Sequence, residues 1–284
     1  MRHDTRHAVR QSPRSAARRS AFAAFVTLSL AATATRANAQ SDRTARFLDD
    51  CRSNRDDAEH VCQTRDFTLS SGPSLTVDGG DNGGITVHAW DRADTKVTAL
   101  IETRAETQQD ADAIAKQITI RTNAADVRAE GPSTRRRESW SVSFEIWAPR
   151  HTALTLSASN GGVAVDGMDA RMDLETVNGG LALTDVAGDV RGTTVNGGVS
   201  ASLSGARWSG AGLDLRTSNG GVRLSLPADY SAQLETGTVN GGLNIGFPIT
   251  VQGSIGHRIE TKLGDGGPTI RVMTTNGGVT IRRR

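Results

Sequence analysis

The sequence predicts an all-β protein whose larger part is a β-solenoid, right-handed β-helix-like repeat array, preceded by a strand-rich region with one short helix. An antiparallel β-meander is the alternative. Three observations carry this. First, Asn-Gly-Gly recurs with its asparagines at 160, 178, 196, 219, 240 and 276, spaced by 18, 18, 23, 21 and 36 residues, the last being twice 18. Periods near twenty mark repeat architectures. Second, the third and fifth residues after each asparagine are apolar, from Val163 and Val165 to Val279 and Ile281, and the residue between them is small or polar. That is a strand with one face inward. Third, Thr176, Thr194, Thr217, Thr238 and Thr274 each precede their asparagine by two.

Taken in chain order, residues 1–39 read as an export signal. Arg10, Arg14, Arg18 and Arg19 precede the apolar run "AFAAFVTLSLAATAT", and Ala37-Asn38-Ala39 supplies an A-x-A cleavage site. Arg18-Arg19 with Phe22 bears a faint likeness to a twin-arginine signal, and Sec export is the preferred reading. No later segment approaches the roughly 20 apolar residues of a membrane span. Removing the signal takes seven of 33 basic and one of 31 acidic residues, so 26 minus 30 leaves −4 where the whole chain carries +2. Nucleic acid is not an expected partner.

Residues 40–64 hold the only two cysteines, Cys51 and Cys62. In an exported protein these are expected to form a disulfide, closing a small loop with a stabilisation on the order of 3 kcal/mol. Residues 65–150 alternate apolar and polar positions between Gly, Asn and Asp, as half-buried strands do. One helix is expected at about 106–117, where Ala111, Ile114, Ala115 and Ile118 fall at helical spacing. From 151 to 284 the repeats take over.

Each N-G-G is a corner, because Gly lacks a Cβ and Asn tolerates positive φ. Asn82, Asn160, Asn178, Asn196, Asn219, Asn240 and Asn276 are therefore assigned as structural turn residues. A second strand enters each corner, with Leu154, Met172, Val190, Leu213, Leu234 and Ile270 six residues before the asparagine. In a solenoid, stacked Thr and Asn would bond between neighbouring coils. In a meander, Asn-Gly would close a two-residue hairpin, with positions −2 and +3 facing each other. Arg282, Arg283 and Arg284 would place charge beside the last strand, or form a frayed tail.

These segments, "NGGITVHAWDR" (Asn82 to Arg92), "SWSVSFEIWAPRHTALTLSASNGGVAVDG" (Ser139 to Gly167) and the later "TVNGG", "TSNGGVRLSLP" and "TTNGGVTI", resemble the bacterial putative-adhesin family, a domain-of-unknown-function group. The resemblance covers about Leu69 to Ile281. It implies an exported, strand-rich, non-enzymatic protein and supplies no catalytic residues.

The residues themselves point the same way. There is no G-x-S-x-G, P-loop, G-x-G-x-x-G or H-E-x-x-H. "DGGDNGGITVHA" fails as an EF-hand, because Gly80 and Ala89 stand where ligands are needed, and Asp78 and Asp81 are assigned to a turn. No metal and no cofactor is expected. Asp166, Asp169, Asp173, Asp185 and Asp189 are read as turn residues opposite the corners. Were they to converge with arginines on one face, a β-helical polysaccharide lyase or hydrolase would be the alternative. Trp147 is expected to cover the end of the repeat core. Trp208, in "SGARWSGAG", is the candidate exposed contact, and Arg135, Arg136 and Arg137 form a solvated tip that offers an anionic-surface contact. The expected function is a non-catalytic adhesin-like or scaffold module of the cell envelope. Its place is periplasmic, cell-surface or extracellular, and its partner a cell-surface polysaccharide or another envelope protein.

Overall fold

Two ten-stranded sheets face each other across a shared apolar core, and the helix Gln108–Gln117 closes a smaller cluster of Ala105, Ala111 and Ile114. The computed structural model describes residues 43–53, 57–123, 125–248 and 256–284. The expected export signal lies outside these residues. The chain divides into a unit of Met1–Arg46 and a unit of Phe47–Arg284, and the second unit holds both sheets.

The repeats make a solenoid. One strand set runs β8 (Ala153–Ala158), β10 (Asp169–Thr176), β12 (Ala187–Asn196), β14 (Gly212–Asn219) and pairs in parallel in the second sheet. After each Asn corner the chain crosses to the first sheet as β9 (Val163–Asp166), β11 (Leu181–Thr184), β13 (Val199–Ser202) or β15 (Val222–Leu226), again in parallel. Equivalent residues pair: Thr176 lies opposite Thr194, not opposite Leu181. This excludes the meander. The apolar positions six residues before each asparagine face inward as predicted, with Leu154, Met172, Val190, Leu213, Leu234 and Ile270 all 2% exposed or less. The +3 and +5 positions are buried as well, except Leu243 and Ile245 of one short strand, which are half-buried. Each such side chain contributes roughly 1.5–3 kcal/mol of burial.

The array begins before residue 151. β2 (Ser74–Asp78) pairs with β8 and β3 (Ile85–Trp90) pairs with β9, so the Asn82 corner opens the first coil. Residues 91–152 interrupt the array after this coil and supply its N-terminal closure: β4 (Asp94–Ala105), helix α2 (Gln108–Gln117), β5 (Thr119–Asn123), β6 (Asp126–Glu130) and β7 (Ser139–Pro149). The expected boundary at 150/151 is therefore no break in the fold, since strands from both sides share both sheets. The predicted helix is α2, with Thr107 as its N-cap and Ala111, Ile114 and Ala115 buried. A helix not read from the sequence, α1, occupies 43–53. Cys51 at its end bonds Cys62 in β1 (Glu59–Ser70) across a Cα–Cα distance of 6.2 Å.

The last coil is out of sequence order. β16 (Ala232–Asn240) and β17 (Leu243–Ile245) leave a gap beside β14 and β15, which β19 (Thr269–Asn276) and β20 (Val279–Arg283) fill. The 36-residue interval between Asn240 and Asn276 is therefore not a doubled repeat. Part of it forms β18 (Arg258–Leu263), antiparallel to β16 at the edge of the second sheet. The C-terminal arginines consequently do not border a free edge. Arg282 and Arg283 belong to the interior strand β20, and Arg284 is bonded to Ser202 and Asp185.

Candidate functional site

The corners themselves are occupied by their own hydrogen bonds. Asn178 donates its side-chain amide to Asn160, Asn196 to Asn178, Asn219 to Asn196, Asn276 to Asn219 and Asn240 to Asn276, at 2.7–2.9 Å. Asn160 continues the ladder to Asn82 at 3.4 Å and to the Asp81 carbonyl at 2.7 Å. The threonines do not bond one another. Each Thr Oγ1 donates to the first corner glycine's carbonyl in the neighbouring coil, as Thr194 does to Gly179 at 2.7 Å. Nor do the glycines answer a need for positive φ. Among the six N-G-G corners of the repeats only Gly277 has one. They answer a close approach: a Cβ on Gly179 or Gly197 would sit 2.0 Å from the carbonyl oxygen of the preceding coil.

The corners hold the outward faces in register, and there polar side chains collect. Across the second sheet one row reads Thr155, Asp173, Arg191, Asp214, Arg271, Glu235, from neighbouring strands. Charges alternate through its last five members at the strand spacing of about 4.8 Å. Arg271 reaches Glu235 at 2.7 Å and Asp214 at 3.2 Å, and Arg216 grips Asp214 with two bonds of 2.7 and 2.9 Å. Burial pushes the Asp214 carboxyl up, but hydrogen bonds and charge from Arg216 and Arg271 outweigh it and hold the group below the usual aspartate range. The hydrogen bond from Arg271 likewise lowers Glu235. Toward the other end the row is looser: Arg191 is 65% exposed and only 3.9 Å from Asp189, and Arg171 contacts Asp173 at 3.2 Å. Asp173 and Asp189 thus lie on a strand face. Of the five aspartates assigned to turns only Asp185, with φ +50°, lies outside a strand, while Asp166 and Asp169 are the strand ends on either side of the Gly167 turn.

A second cluster lies on the outer face of the first sheet. His88 stands 3.6 Å from both Glu145 and Asp166 and stacks on Trp147 with ring centroids 5.4 Å apart. Trp147, 5% exposed, covers this outward face and not the end of the core. Sequence reading missed the cluster, because the three polar residues are far apart in the chain. They meet only because β3 pairs with β7 on one side and with β9 on the other.

The other assigned residues fall as follows. Trp208 is not exposed: it is 3% accessible and its Nε1 donates to the Gly188 carbonyl at 3.0 Å. It plugs the return turn opposite the corner, where Gly188 and Gly210 bring two coils too close for side chains. Arg135, Arg136 and Arg137 are exposed between β6 and β7, with Arg137 paired to Glu106 at 2.9 Å. Among the described residues, no group of three or more His, Cys, Asp or Glu has metal-binding geometry, and no helix is long and apolar enough to cross a membrane.

Residues 74–282 match the family described as Toastrack DUF4097, a span that begins at β2 and ends in β20. The chain belongs to this family. Its span coincides with the coils and their closing strands, so the Toastrack domain here includes the Asn82 coil. No curated protein matches the chain. Among solved structures, a putative cell adhesion protein from Clostridium sporogenes matches with a TM-score of 0.46 at 12% identity, over 80% of this chain and 100% of that one. A putative adhesin from Bacteroides fragilis matches at 0.40 and 13%, over 79% and 97%. A putative lipid binding protein from Parabacteroides distasonis matches at 0.29 and 12%, over 78% and 96%.

Proposed function

We propose that this Toastrack protein is an exported, non-catalytic binding or scaffold module of the bacterial cell envelope, which engages a cell-surface polysaccharide or another envelope protein through its outward faces. The observation that carries this reading is the charged row on the second sheet. Its members stand at constant spacing on a rigid parallel scaffold, a surface suited to an extended partner with repeating polar groups. The basic stretch, apolar run and A-x-A of residues 1–39 and the Cys51–Cys62 disulfide support an exported setting.

The test is retention of the purified protein on isolated envelope polysaccharide and on envelope protein fractions. The double variant Arg171→Ala/Arg191→Ala removes the two loosely held cations without touching the core. Its retention should fall about tenfold or more if these arginines make charge-assisted bonds to the partner. Unchanged retention would remove the row from the reading.

A polysaccharide lyase or hydrolase is the second reading, because Asp173 and Asp189 do lie beside Arg171 and Arg191 on one face. New reducing ends or unsaturated products, abolished by Asp173→Ala or Asp189→Ala, would establish it in place of the binding module.

A further inference from the structure

At the end of the array where β16, β17 and β18 close it, a cleft of ≈ 200 Å³ opens between the loop after β15 and the strand end of β18. Leu226, Pro227, Tyr230, Phe247, Lys262 and Arg283 line it. Two features set it apart from the paired charges of the sheet faces. Lys262 and Arg283 are exposed and make no ion pair among the described residues, whereas Arg216 and Arg271 on the second sheet are held by carboxylates. Tyr230 is only 4% exposed, and its hydroxyl makes no hydrogen bond among the described residues. No side-chain polar atom that is fully sealed among these residues lacks a partner. The hydroxyl is therefore not fully sealed, and Tyr230 is one of the residues that line the cleft.

Burial of the ring pushes the Tyr230 hydroxyl up to about 12, so it stays a neutral hydrogen-bond donor and acceptor across the physiological range. Arg283 holds its Cζ 5.0 Å from the centroid of the Phe247 ring, a cation–π contact that leaves the guanidinium's N–H groups able to meet a carboxylate. The volume is below the roughly 300–1,000 Å³ of pockets for drug-sized ligands, so the cleft takes one ring and not a folded chain.

We infer that this cleft is a binding site for a carboxylate-bearing sugar ring, a uronate unit of an anionic glycan. Its carboxylate would meet Lys262 and Arg283, its ring hydroxyls Tyr230, and its apolar face Phe247 and Pro227. The inference rests on the polysaccharide reading above for the source of the sugar, but the site stands on its own residues and is separate from the charged row.

The experiment is calorimetric titration of the purified full chain at low salt with trigalacturonate, the galacturonate monomer, neutral galactotriose and decanoate. Trigalacturonate should bind and galactotriose should not. Lys262→Ala/Arg283→Ala should weaken binding about tenfold or more, since both residues are exposed and each would supply a charge-assisted bond. Tyr230→Phe, which keeps the buried ring, should weaken it by a few fold, with an unchanged circular dichroism spectrum. Arg171→Ala/Arg191→Ala should leave it unaltered, which separates failure of this site from failure of the sheet-face reading. Binding of the galacturonate monomer as tight as that of the trimer would support the same ring site and assign it to the free acid. Absence of trigalacturonate binding, undiminished binding by both cleft variants, or preference for decanoate would overturn the inference.

Discussion

At the corner, the first glycine is fixed by its neighbour coil and not by its own dihedrals. A methyl group on Gly197 would sit 2.0 Å from the Gly179 carbonyl oxygen, while one on Gly198 would stand 3.5 Å from Gly221. Gly197→Ala should therefore destabilise the fold by at least about 2 kcal/mol, because backbone must move, whereas Gly198→Ala should cost well under that. Urea unfolding of the two variants makes the comparison directly. The asparagines separate in the same way. Asn178 both donates to Asn160 and accepts from Asn196, while Asn240 ends the ladder with a single bond to Asn276. Asn178→Ala should cost about 1–3 kcal/mol and Asn240→Ala about half of that, at 0.5–1.5 kcal/mol per bond.

Among the elements, β19 shows how charge assigns a strand its place. If β16 followed β14 directly in the common register, Asp214 would stand beside Glu235. Inserting β19 puts Arg271 between them, and opposite signs replace like ones. Both carboxyls are held below their ordinary range in the folded protein, so their contribution is present above the unfolded carboxylate pKa of about 4 and is lost as pH falls through the folded values. Thermal unfolding should accordingly show a steeper loss of stability below about pH 4 than the variant Arg271→Gln, whose two carboxyls have lost that partner. A matching dependence in both would show that Arg271 does not hold them. The return turn depends on packing instead. Trp208→Ala should cost about 3–5 kcal/mol, the range for removing a buried aromatic, and near-native stability would place Trp208 outside the core.

For the whole unit, the order of stacking predicts which truncations are tolerated. Deleting Asn178 to Val195 removes one 18-residue coil and leaves the Asn160 and Asn196 coils able to stack as before, since each offers the same amide, carbonyl and apolar positions. That variant should fold, with cooperative melting and unchanged β-type circular dichroism. Deleting residues 269–284 removes a coil of similar length from the chain end, yet this coil lies inside both sheets. It should abolish cooperative unfolding, because two apolar faces and two like-charged carboxylates are left across a gap. If the terminal truncation melts like the internal one, the inserted position of β19 and β20 is wrong.

The sequence by itself determined the repeat. The N-G-G period, the apolar residues at +3 and +5 and the threonine at −2 favoured parallel coils over the meander, because a pattern that must match its neighbour in every coil is written in every coil; the pairing of Thr176 with Thr194 decided between them. The Asn ladder and helix α2 were legible for the same reason: both are local patterns. The candidate surfaces were not. His88, Glu145 and Asp166 are unremarkable outward residues of three strands, and only the pairing of β3 with both β7 and β9 joins them. Trp208 sits in a Gly- and Ser-rich loop that composition marks as exposed, yet it is buried against the return turn, where its Nε1 donates to the Gly188 carbonyl. Arg283 stands in a run of arginines at the chain end, and became a cleft residue because its strand was inserted between two others. Strand order in a sheet is set by contacts between segments far apart in the chain, and no periodicity within one segment records which neighbour it will have. Tertiary structure alone decided which outward residues meet.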